Sequence, residues 1–237
     1  MNLAILAAGE SSRLKAEGLK VPKPLITING ETIIERIIRL GLQNGAASIY
    51  CIINEEELLL REFFISGDFE VPVKLVIRTT ESSMHSLFSL APYLTDEPFL
   101  LTTCDSVFDA LEFRNFVSSV KNSTGIQGTL AVTQYIDDEK PLCVKMDSGN
   151  KITAFSDRQE GYLWATGGIY YFSPEIFEMI KAAHELKISR LRNFLRLLLS
   201  NGYSLKGFPF SKIIDVDHLK DIKAAEEYLC PSEKPGA

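Results

Sequence analysis

Apolar residues fall in short runs along the first half of the chain, and their spacing alternates between two periods. Leu3 to Ala7 is uninterrupted and stops at a glycine two residues on, the pattern of a parallel strand buried on both faces. From Thr32 to Gln43, apolar positions at Ile33, Ile34, Ile37, Ile38, Leu40 and Gly41 recur near helical spacing. Thr32 followed by Glu35 supplies a capping-box start for that helix. Further strands are predicted over 48–53, 71–77 and 98–102, and helices over 55–65 and 83–94. Strand and helix in alternation predict a parallel sheet joined by right-handed crossovers.

Past Gly125 the pattern becomes strand-rich. Segments 129–134, 142–146, 152–155 and 163–172 read as strands, with a Ser-Gly-Asn turn at 148–150. Helices are predicted over 174–183 and 189–201, then a strand pair over 205–209 and 212–216, then a terminal helix over 218–229. The expected fold is α/β: a single Rossmann-like three-layer domain over 1–230 with a mainly parallel, mixed central sheet. Residues 231–237, PSEKPGA, are expected to be a disordered tail.

Composition narrows the functional classes. With 237 residues, 46% hydrophobic and 24% charged, the chain reads as an ordinary globular protein able to bury a core without disulfides or a structural metal. A net charge of −6 with no Lys/Arg block argues against nucleic acid as a partner. Cys51, Cys104, Cys143 and Cys230 are scattered and form no CxxC pair, as expected of reduced thiols in a cytoplasmic protein. The apolar N-terminus lacks a basic flank and runs into a Gly/Ser turn, so a strand fits better than a signal peptide. No run approaches the roughly 20 apolar residues of a membrane span. Nothing in the pattern decides the oligomeric state.

Candidate chemistry begins where the first strand ends. Ala8-Gly9-Glu10-Ser11-Ser12-Arg13 is a small-residue turn at the carboxyl end of a strand, where open α/β sheets bind ligands. Such a turn aims N–H groups at phosphate; Ser11 and Ser12 add hydroxyls, and Arg13 a planar cationic fork. It matches neither GxGxxG nor GxxxxGK[ST], which disfavours dehydrogenases and P-loop NTPases. Lys23 stands between Pro22 and Pro24, an ammonium on a stiff loop. Asp105 closes the strand ending Thr-Thr-Cys-Asp, and Asp215 and Asp217 close another predicted strand. A carboxylate pair of this kind suits Mg²⁺, although Asp217 also reads as the N-cap of the terminal helix. Thr80 to Leu87 opens a helix, where Ser83 and Ser86 are either caps or contacts. Gly167-Gly168 inside a strand marks a bulge or a close backbone approach.

The strings LAAGESSRL and PKPLITINGETIIERII resemble the opening signature of the nucleotidyltransferases that include sugar-1-phosphate nucleotidyltransferases and bacterial choline-phosphate cytidylyltransferases. DVDHLKDIKAAEEYL resembles their closing motif. The resemblance implies that Ala8, Gly9, Ser11, Ser12, Arg13 and Lys23 cradle the nucleotide phosphates, with Arg13 and Lys23 catalytic. It implies nucleotide contacts for Ser83 and Ser86, an acceptor contact at Gly168, and Mg²⁺ held by Asp105 and Asp217, with Asp215 the second choice. Glu10 departs from a pattern that often has a second glycine there. The Asp157-Arg158 turn and Glu160 are weaker acceptor candidates. Residues 1–125 would then serve the nucleotide and 126–230 the acceptor. The reaction implied is attack by a phosphorylated acceptor on an NTP, with pyrophosphate leaving. The rivals are a glycosyltransferase reading Asp215-Val216-Asp217 as DxD, and an inactive nucleotide-binding regulatory subunit.

Overall fold

The structure, a computed structural model, describes residues 1–9, 12–121 and 125–230, without the side chain of Ser12. β1 (Asn2–Ala7) is buried at every position. Its alternate residues feed two separate cores, Leu3, Ile5 and Ala7 on one face and Ala4 and Leu6 on the other. A short helix α1 (Ser12–Ala16) and a small hairpin, β2 (Thr27–Ile28) and β3 (Glu31–Thr32), lead into α2 (Ile33–Gln43). The expected capping box is present: Glu35 N–H donates to Thr32 Oγ1, and Thr32 N–H donates to Glu35 Oε2 at 2.9 Å. β4 (Ser48–Ile53), α3 (Leu58–Ser66), β5 (Val73–Ile77), α4 (Ser83–Leu90) and β6 (Phe99–Thr103) complete the alternating half.

Two elements follow β6 that the spacing analysis left as loop: β7 (Ser106–Phe108) and α5 (Ala110–Val120). Asp109 caps α5, accepting from the N–H groups of Leu111 and Glu112. Then come β8 (Gly128–Thr133), β9 (Cys143–Met146), β10 (Ile152–Ser156), β11 (Trp164–Phe172), α6 (Ile180–Glu185), α7 (Leu191–Ser200), β12 (Leu205–Phe210), β13 (Ile213–Asp215) and α8 (Leu219–Leu229). The helix expected over 174–183 is a 3₁₀ segment (Pro174–Met179) running into α6.

The main sheet is mixed, ordered β10-β9-β11-β6-β1-β4-β5, with β8 joining β11 to β12. β6, β1, β4 and β5 are mutually parallel, whereas β11 runs antiparallel to β6, β8 and β9. Helices α2, α5 and α8 bury Ile37, Phe116 and Ala225 in one core; α4 and α7 bury Leu87 and Phe194 in the other. The expected strand pair over 205–216 is a correction. β12 pairs parallel with β8, and β13 pairs antiparallel with β7. The β7–β13 ribbon matters most for function, because it lays the C-terminal aspartates beside Asp105.

Candidate active site

Asp105 follows β6 at the sheet's carboxyl edge, opposite the end of β1. The ribbon aligns Asp215 with Ser106, and Val216 N–H donates to the Asp105 carbonyl at 2.9 Å. The next residue, Asp217, is oriented by Asp221, whose Oδ2 accepts from the N–H groups of Asp217 and His218 at 3.0 and 2.7 Å. His218 occupies the N-cap position of α8, so the N-cap role considered for Asp217 is not the one it takes. Asp217 stands one residue earlier, with its carboxylate turned to the site.

Both cations singled out in the sequence converge there. Lys23 Nζ lies 2.5 Å from Asp217 Oδ1 and 3.3 Å from Asp105 Oδ2. Arg13 Nη1 donates to the other oxygen of Asp217. Burial works against the Lys23 ammonium, but Asp105 and Asp217 together outweigh it and hold its pKa above the ordinary lysine value. For Asp105 burial again opposes charge, and Lys23 prevails, keeping the carboxyl below its usual range. Asp215 is placed differently. It accepts from Ser106 Oγ at 3.0 Å, and burial followed by the nearby Asp105 charge pushes its pKa up to about 8.

Two cavities meet at Asp105. One, about 460 Å³, is bordered by Ala8, Gly9, Lys23, Ser83, Ser86 and Asp105. The second, about 170 Å³, is bordered by Asp105, Asp138, Thr166, Gly168, Arg192 and Asp215, and shares Ser83 and Thr103 with the first. Ser86 is almost fully buried; its hydroxyl bonds Thr80 Oγ1 at 2.6 Å, and it also donates to the Ser82 carbonyl. Gly168 has φ +73°, where β11 shifts register against β8 between Thr166 and Tyr170. A Cβ there would run into the hydroxyls of Thr103 and Ser106. The bulge and the close approach are thus one feature: the backbone bends at Gly168 to pass beside the Asp105 turn.

Among the sequence candidates, Ala8, Gly9, Arg13, Lys23, Ser83, Ser86, Asp105, Gly168 and Asp217 are brought together at this one edge. Glu10, Ser11 and the side chain of Ser12 lie outside the described residues. The Asp157–Glu160 turn does not line the second cavity: Asp157 binds Arg192 and Arg196, and Arg158 is exposed. Asp138 and Arg192 do line it and were not foreseen. Neither belongs to a motif; Arg192 shares an amphipathic helix with Arg196 at a spacing that reads as a solvated face.

A family model described as nucleotidyl transferase matches residues 3–230. The chain belongs to the nucleotidyl transferase family. The bifunctional IPC transferase and DIPP synthase of Aquifex aeolicus is 24% identical to this nucleotidyl transferase over 232 residues, 95% of the chain and 51% of that protein. The chain spans about half the length of the curated relatives it matches. Its fold is shared with the inositol-1-phosphate CTP transferase from T. maritima, at TM-score 0.81 and 21% identity over 95% of this chain and 93% of that one. It is shared equally with a putative glucose-1-phosphate thymidylyltransferase from Bacillus anthracis, at TM-score 0.83 and 18% identity over 96% and 94%.

Proposed function

We propose that this nucleotidyl transferase moves a nucleoside monophosphate from an NTP to the phosphate of a small polyhydroxylated acceptor. The observation that carries the proposal is the pair of cavities meeting at Asp105, one beside Lys23 and the Ala8-Gly9 turn, the other beside Gly168. The NTP takes the larger cavity, its phosphates at Gly9, Arg13 and Lys23 and its nucleoside toward Ser83 and Ser86. The acceptor takes the smaller. An acceptor phosphate oxygen attacks the α-phosphorus; that P–O bond forms as the bond to the β-phosphate's bridging oxygen breaks, and pyrophosphate leaves. The nucleophile is already anionic, so no general base is required, and catalysis is positioning plus offset of charge.

The donor set suits a divalent ion. Oxygens of Asp105 and Asp217 already converge on one cation, Lys23 Nζ, and Mg²⁺ is characteristically held by one or two carboxylates together with substrate oxygens. Asp105 and Asp217 would hold it, and when bound it supplies Lewis-acid charge stabilisation at the reacting phosphate. Lys23 and Arg13 then turn from Asp217 to the triphosphate. We take residues 1–125 as the nucleotide side and 126–230 as the acceptor side, and the cytoplasm as the place of action. Among the described residues, no helix is long and apolar enough to cross a membrane.

The lining of the smaller cavity favours a sugar or cyclitol phosphate over phosphocholine. Asp138, Thr166 and Asp215 suit hydroxyl groups. A quaternary ammonium calls for open aromatic faces, and the Tyr170 ring is buried and stacked 5.6 Å from Phe172. The test is pyrophosphate release with each common NTP paired with glucose 1-phosphate, inositol 1-phosphate or phosphocholine, with Mg²⁺. Release with one NTP and a polyol phosphate is expected. Release with phosphocholine alone would overturn the acceptor class, and no release or NTP binding under any pairing would overturn the transferase reading.

A further inference from the structure

The smaller cavity has an electrostatic problem that its walls state openly. Asp105 and Asp138 both line it, and a phosphomonoester entering it carries up to about two negative charges. Arg192 is the single cationic side chain among the described residues that line this cavity. Its guanidinium is held by two hydrogen bonds to the protein. Nη1 donates to Asp157 Oδ1 at 2.9 Å, and Nη2 donates to the Lys140 carbonyl at 2.7 Å. These bonds use two of a guanidinium's five N–H donors and fix the plane of the fork.

The support behind Arg192 is built to leave charge over. Asp157 divides its carboxylate between two arginines one helical turn apart, Oδ1 to Arg192 and Oδ2 to Arg196, the latter also at 2.9 Å. One carboxylate facing two guanidinium groups leaves a net positive charge at the edge of an acidic cavity. Arg196 is fixed in turn by donating to Asn193 Oδ1 at 2.8 Å. The start of α7 is tied to the nucleotide side as well, because Arg190 N–H donates to Ser82 Oγ at 3.1 Å. Arg192 therefore rides on a helix anchored to both cavities.

We propose that Arg192 receives the acceptor's phosphate, and that Asp157 is a positioning residue that holds the Arg192 fork at the cavity edge. The inference rests on the nucleotidyl-transfer reading for what enters the cavity. A planar guanidinium fork can donate two parallel N–H bonds to two oxygens of a tetrahedral phosphate, which a lysine ammonium does not reproduce.

Four proteins test this: wild type, Arg192→Met, Asp157→Asn and the double variant. Each is titrated calorimetrically with inorganic phosphate, glucose 1-phosphate and inositol 1-phosphate, and each is melted with and without NTP and Mg²⁺. Wild type is expected to saturate with at least one phosphate probe. Arg192→Met should weaken that binding about tenfold or more, and Asp157→Asn by a smaller factor. The double variant should match Arg192→Met alone, because Asp157 acts through Arg192. With any NTP and acceptor that turn over, Asp157→Asn should raise the acceptor KM and leave the NTP KM unchanged, a split that a merely structural role would not give.

Phosphate binding by Arg192→Met within about twofold of wild type, or a wild type that saturates with none of the probes, overturns the proposal. The NTP-dependent melting shift should be equal in all four proteins. Its absence in wild type would count against the transferase reading, whereas an intact shift with Arg192-independent phosphate binding counts against this inference alone.

Discussion

Asp217 takes hydrogen bonds from Arg13 and Lys23 at once, while Asp105 shares Lys23 with it. The side chain of Lys23 is only 12% exposed, against 28% for Asp217 and 31% for Asp105. Losing the lysine therefore leaves two partly enclosed carboxylates facing each other. Removing one partner from a fully buried pair costs roughly 3–5 kcal/mol, and solvent at these carboxylates reduces that to about 1–2 kcal/mol. Lys23→Met should lower the melting temperature more than Asp105→Asn does, because in the second variant Lys23 keeps Asp217. Turnover should fall in both, by roughly 100- to 1,000-fold for the lysine, the range seen when one preorganised charge-stabilising group is removed. Melting curves and pyrophosphate release on the same preparations check this. Near-normal turnover in both variants would remove these residues from the catalytic role.

At the scale of elements, the site depends on one bend and one ribbon. Gly168 sits at φ +73° with no room for a Cβ beside Thr103 and Ser106. Gly168→Ala should cost about 1–3 kcal/mol of backbone strain alone and displace the Asp105 turn, losing activity as well as stability. Thr32→Ala, which removes the capping box of α2 without touching a site side chain, should cost about 1 kcal/mol and leave kcat unchanged. Denaturant titration with kinetics separates the two, and equal activity in both variants would deny the bend its role. Local signals made much of this legible in advance. The uninterrupted run of β1 and the Thr32/Glu35 pair each point to one structure. The signal for α5 was also present, with Asp109 ahead of apolar Phe113, Phe116, Val117 and Val120 at helical spacing, although it passed for loop behind Asp105. Strand partners were not legible. The sequence pattern places 205–209 and 212–216 in strands, but β8 and β7 become their partners only through packing of the whole sheet. Arg192 was equally invisible, because its meaning comes from Asp157, 35 residues earlier in the chain.

Across the whole molecule, the two ends of the chain are joined through charge. Arg13 comes from α1 and Lys23 from the 3₁₀ turn Lys23–Leu25, Asp217 from the turn before α8, and Glu17 reinforces the join by accepting from Leu219 N–H at 2.8 Å and bonding His218 Nδ1 at 2.5 Å. An NTP that draws Arg13 and Lys23 to its phosphates takes them away from Asp217 and Asp105, and both carboxylates then face the incoming anion. On the proposed reading, Asp105 and Asp217 would then hold a divalent ion, which would supply the positive charge that the two cations withdraw. NTP and metal should therefore bind with a coupling larger than the affinity of the metal for free NTP. Melting curves give the readout: at about 100 times the dissociation constant a ligand stabilises the fold by roughly 2.7 kcal/mol. For a domain of this size that is a shift of several degrees. With Mg²⁺ the cognate NTP should reach that shift, and with EDTA the same NTP concentration should give little. Asp217→Asn removes one of the exposed carboxylates, so it should narrow the gap from both sides, weakening binding with Mg²⁺ and strengthening it with EDTA. Strengthening under EDTA distinguishes this exchange of partners from simple loss of a metal ligand, which would weaken the first condition and leave the second untouched.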